Sequence, residues 1–118
     1  MNALAALRQY NSVGTATQVS DASPHKLISM LMDGHISRLA QARGALERGQ
    51  PGLKGEMITK AICILGGLRG SLNMEAGGDV AVNLDRLYEY MGARLVEANA
   101  KDDTLILEEV SGLMRTLK

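Results

Sequence analysis

The stretch SPHKLISMLMDGHISRLAQARGALERGQP, residues 23–51, decides the fold class. Ile28, Met32, His35, Leu39, Ala42 and Leu46 recur at alternating spacings of four and three, the period that lines one face of an α-helix, and Leu27, Leu31 and Ile36 widen that face. Ser23 can accept a hydrogen bond from a first-turn amide. Pro24 suits the first helical position, where its missing N–H costs nothing. Gly49 and Pro51 stop the pattern. A helix beginning at Ser23–Pro24 is therefore predicted.

Downstream the same period returns three times. Ile58, Ala61, Leu65, Leu68 and Leu72 predict a second helix from about Leu53 to Asn73. Gly66 and Gly67 lie inside it; each costs about 1 kcal/mol relative to Ala, so the pair either admits a close backbone neighbour or weakens the helix there. Ala76-Gly77-Gly78-Asp79 reads as a turn, with Asp79 at the start of a third helix bearing Ala81, Leu84, Tyr88, Met91, Leu95 and Ala98. After a break at 99–103, Asp102 or Asp103 can cap a fourth helix carrying Ile106, Val110, Leu113 and Leu117. Links of about five to seven residues favour antiparallel neighbours. The expectation is an all-α, antiparallel four-helix bundle over residues 23–118, with no competing strand pattern and no internal repeat.

Upstream, residues 1–22 differ. Arg8 and Asp21 are their only charged side chains, and Leu4, Leu7, Tyr10, Val13 and Val19 are scattered among small and polar residues. They read as a mobile N-terminal arm, too poor in apolar residues to form a core yet rich enough to dock on something.

Composition excludes several functions. The 118 residues suit one domain, and 46% hydrophobic against 22% charged residues is the balance of a folded chain. Thirteen basic and thirteen acidic residues cancel, leaving no field to draw the molecule onto nucleic acid or an anionic membrane. With three Tyr and no Phe or Trp, there is no platform for base stacking and the core must be aliphatic. One cysteine, Cys63, excludes an intramolecular disulfide and points to a reducing, cytoplasmic compartment. No apolar run approaches the roughly 20 residues of a membrane span.

Chemistry is equally sparse. His25 and His35 stand ten residues apart with no carboxylate cluster, so no metal site is expected; His25 reads as an exposed first-turn residue and His35 as a packed one. Gly66-Gly67-Leu68-Arg69-Gly70-Ser71 lacks the spacing and lysine of a phosphate loop. Cys63 has no activating neighbour in sequence. Neither a catalytic constellation nor a cofactor site is expected. What remains is surplus apolar surface: Met57 with Ile64, and Leu107 with Met114, pairs seven apart beside the main stripes. A broad core face and a groove for an apolar partner helix both account for them.

Taken together, the chain resembles the FliS family of flagellar secretion chaperones. The resemblance rests on Tyr10, on Ala22-Ser23-Pro24-His25-Lys26-Leu27-Ile28, on Met30-Leu31-Met32-Asp33-Gly34, and on Leu72-Asn73-Met74-Glu75-Ala76-Gly77-Gly78-Asp79. It continues through Asn83-Leu84, Leu87-Tyr88-Glu89-Tyr90-Met91, Arg94-Leu95, Ala98-Asn99 and Leu107-Glu108-Glu109-Val110. Asp21, Met32 and His35 depart from the residues usual in the family. Family members also run several residues beyond the position of Lys118, so some partner surface is expected there. The resemblance implies a non-enzymatic, cytoplasmic chaperone whose apolar surface holds the disordered C-terminal segment of flagellin and prevents its premature polymerisation before type III export. It also implies an arm bearing Tyr10 that covers part of that surface when flagellin is absent. Expected contacts are Met57, Ile64, Leu68, Leu107 and Met114 on the bundle, with Tyr10 and Val13 on the arm. The same physics permits an adaptor or regulatory bundle for other flagellar proteins.

Overall fold

Ser23 caps the first helix as its position suggests, its Oγ accepting from the Lys26 N–H at 3.2 Å. The computed structural model describes residues 23–118, and the expected 1–22 arm, Tyr10 and Val13 included, lies outside the described residues. Four helices follow: α1 (Pro24–Glu47), α2 (Pro51–Gly70), α3 (Met74–Lys101) and α4 (Thr104–Leu117). No strand occurs among the described residues.

The boundaries correct the sequence reading. The links hold only two or three residues, not five to seven, because each helix starts as soon as a starter residue allows. Pro51 does not merely stop α1; it opens α2 at the first helical position, after Gly49 has turned the chain at φ 68°. Asp103 caps α4 by accepting from the Leu105 and Ile106 N–H groups, while Asp102 ends α3 in the left-handed conformation at φ 52°. The turn expected at 76–79 is present as a break in the helix, and the main run of α3 starts beyond it; ahead of it Asn73 caps an extra turn, with Oδ1 accepting from the Ala76 N–H at 3.0 Å. One turn follows, Met74–Gly77, before the backbone breaks at Gly78 (φ 52°, ψ −130°), a conformation open to glycine and costly for other residues.

Each helix packs on its sequence neighbours, and α4 returns to α1, closing a ring in the order α1, α2, α3, α4. Short links make successive helices antiparallel. Consequently α2 and α4 stand on opposite corners.

The core is one cluster drawn from all four helices. In α1 its deepest members are Leu31, Leu39 and Ala42. Ile28, Met32 and Leu46, placed on the stripe by spacing, are only partly buried at its edge, because α1 is flanked by both α2 and α4 and turns the neighbouring row inward. Leu84, Leu113 and Leu117 likewise flank the core rather than fill it. Gly66 has open space where a side chain would stand, so it admits no close neighbour, whereas Gly67 is buried. No helix among the described residues is long and apolar enough to cross a membrane.

Candidate functional site

The surplus apolar residues are the place to look, and all of them lie inside. Met57, Ile64 and Leu68 on α2 and Leu107 and Met114 on α4 are 0–5% exposed and belong to the same core cluster as Leu31 and Leu95. Since α2 and α4 occupy opposite corners, the two pairs do not share one external groove.

At the α1–α2 seam sits His35, fully buried. Its Nδ1–H donates to the Ala61 carbonyl at 3.0 Å, which leaves Nε2 as the lone-pair nitrogen, and that atom has no partner among the described residues. Burial lowers its pKa to about 4, opposed by the backbone hydrogen bond, so the ring is neutral at physiological pH. Lys54 is the other buried polar residue. It closes the far end of the bundle: Nζ donates to the Asn99 carbonyl at 3.0 Å and pairs with Asp102 at 2.6 Å, placing a cation on the C-terminal carbonyls of α3. No pattern in the sequence singles Lys54 out.

A surface groove of about 540 Å³, which sequence reading missed, runs between α1 and α4. Its floor includes Leu39 and Leu107, its walls carry Ala40, Gly44, Ser111 and Gly112, and Arg43 bridges it to Glu108 at 2.8 Å. The sequence signal lies in small residues: Ala40 and Gly44 four apart on α1, and the adjacent Ser111 and Gly112 on α4. On the α3–α4 side, Glu109 accepts from the Tyr90 hydroxyl at 2.6 Å and pairs with Arg94 at 2.7 Å. These two bonds hold its carboxyl below the usual range, and the same hydrogen bond pushes the Tyr90 phenol up. Arg69 grips Asp85 at 2.7 Å across the α2–α3 seam.

Cys63 is exposed, and no group of three metal-ligating side chains forms among the described residues.

Comparison with known proteins gives this bundle a family. The description "Flagellar protein FliS" matches residues 6–118. The chain belongs to the FliS family. It is 58% identical over 118 residues to the flagellar secretion chaperone FliSB of Pseudomonas aeruginosa, covering all of this chain and 94% of that one. It is 45% identical over 112 residues to the flagellar secretion chaperone FliS of Salmonella typhimurium, covering 94% of this chain and 83% of that one. The FliS of Bacillus subtilis, under the same description, is 36% identical over 104 residues, covering 88% and 72%. FliS relatives are named for chaperoning secretion, not for an enzymatic reaction.

Proposed function

We propose that this chain is a cytoplasmic flagellar export chaperone that binds the disordered C-terminal region of flagellin, prevents its premature polymerisation and keeps it competent for type III export. The observation carrying this reading is the 58% identity, along the whole chain, to a protein named a flagellar secretion chaperone. The physical support is a helical bundle rich in Met and Leu, side chains that repack readily around an apolar helix.

The proposed contacts are Met57, Ile64, Leu68, Leu107 and Met114, joined by Tyr10 and Val13 of the arm. Leu107 floors the α1–α4 groove, whereas Met57, Ile64, Leu68 and Met114 are at most 5% exposed and are reached only when the packing over them opens. Binding on this reading is coupled to rearrangement of the chaperone as well as to ordering of the flagellin segment, and the arm covers the apolar surface when flagellin is absent.

Titration calorimetry of the full chain with a flagellin C-terminal segment tests the proposal. One-to-one association is expected, with a markedly negative heat-capacity change from coupled burial of apolar surface. No association at micromolar concentration overturns it. Preferential binding of another flagellar protein in competition transfers the chain to the adaptor reading.

A further inference from the structure

We propose that the corner Met74–Val82 is a docking surface of its own, separate from the core residues assigned to flagellin above, and that its partner is a helical protein segment carrying apolar side chains beside Lys or Arg. Six large apolar side chains are exposed among the described residues, and three fall in this one stretch: Met74 at 46%, Val80 at 68% and Val82 at 37%. The others, Tyr90, Val96 and Leu105, are spread along the opposite half of α3 and onto α4. Single exposed apolar residues are ordinary; here half of the six fall within nine consecutive residues, on either side of the buried Ala81 and across the break at Gly78.

Ala81 within this corner is buried, but Met74, Val80 and Val82 are left uncovered by the neighbouring helices. Arg69, in the last turn of α2, already lies beside Asp85, so the chain before Asp85 projects past the end of α2. The last residue after α4, Lys118, pairs with Asp33 of α1, and the polar ties of α4 to α3 run through Glu109 to Tyr90 and Arg94, well down the helix.

Charge selects the occupant. Glu75 and Asp79 flank the apolar side chains, both are exposed, and neither forms an ion pair among the described residues. No Lys or Arg occurs between Arg69 and Arg86, and Arg69 is held by Asp85 and Glu89. A second copy docking through the same corner would set acids against acids, and nucleic acid or an anionic lipid surface would be repelled. A partner with basic residues beside its apolar ones pairs with these acids and covers the exposed apolar side chains at once. Gly78 breaks the helix within the corner, so the Met74–Gly77 turn can reseat against such a partner without disturbing the packed part of α3.

The test is an NMR titration of the full chain with two synthetic amphipathic helical peptides, identical except that one carries Lys and the other Glu on its polar face. The Lys peptide is expected to shift the amide resonances of residues 73–83, and the Glu peptide to leave them unmoved. Glu75→Lys with Asp79→Lys should weaken the Lys peptide about tenfold or more, and Val80→Ser with Val82→Ser should weaken it without any charge change. Circular dichroism checks that both variants keep their helix content; if the charge reversals do not, Glu75→Gln with Asp79→Asn replaces them. The proposal is overturned if the two peptides act alike, if no shift appears, or if the shifts centre on the α1–α4 groove. Shifts at 73–83 that follow protein concentration alone indicate a second copy and overturn it too. No flagellin is present, so the outcome is independent of the flagellin reading.

Discussion

His35 shows what one buried titratable side chain does to a small bundle. Its pKa in the fold is about 4, below the ordinary 6.5, because burial penalises the cation. The unfolded chain therefore binds the proton more readily. The stability from keeping the ring neutral is complete above about pH 6.5 and is lost as pH falls towards 4, amounting to about 3 kcal/mol. Urea unfolding at pH 7 and pH 4.5 should show this decline, and His35→Leu should flatten it relative to the parent. An identical pH dependence in both proteins would remove His35 from the account. Spacing placed His35 on the apolar face, but its bond to Ala61 joins residues 26 apart in sequence and could be seen only once α1 and α2 were packed. Lys54 was less legible still, since a lysine at a helix start has the same sequence signature whether it is solvated or folded onto a neighbouring helix end. Lys54→Met should lower stability by about 1–3 kcal/mol through loss of its charge-assisted bonds to Asn99 and Asp102, read as a lower urea midpoint with an unchanged slope.

Among the helices, existence and type were legible and ends were not. Four stripes gave four helices because the 3.6 period survives wherever one face must be buried. The ends depend on local caps: Asn73 adds the Met74–Gly77 turn, and the break at Gly78 separates it from the main run of α3 that begins beside Asp79. Gly78→Ala tests that balance. Nothing stands within 4 Å of the added Cβ, so the cost is conformational, about 1–3 kcal/mol for an L residue held in this sparsely populated region. Thermal melting should show the corresponding loss, and an unchanged midpoint would mean that the turn straightens at no cost. Leu84 illustrates the limit of periodicity for the candidate core. It lies on the α3 stripe but flanks the cluster instead of filling it, so Leu84→Ala should cost about 1–2 kcal/mol, less than the range for a fully enclosed leucine.

For the whole molecule, the bundle and its family could be read from sequence, whereas the position of the proposed partner residues could not. Met57, Ile64, Leu107 and Met114 stood out as surplus because one stripe was assumed per helix. In a closed ring every helix has two neighbours, and a second row is then needed inside. Removal of residues 1–18 addresses the arm directly. The cap at Ser23 remains, so helix content and melting temperature should change little, while binding of an apolar dye should rise if the arm shields the bundle. No rise would reduce Tyr10 and Val13 to a leader sequence.

The closure of the ring by α4 against α1 also bears on how the protein is made. Three of its four seams join consecutive helices, so most of the structure can assemble from local contacts as the chain leaves the ribosome, in the fast regime of low contact order. The fourth seam waits for the last residues to be synthesised. Until Thr104–Leu117 emerges, the nascent chain carries an open apolar trough where Leu107, Val110 and Met114 will later sit, and an interrupted translation product ending before Thr104 should be far more prone to aggregate than one lacking residues 1–18.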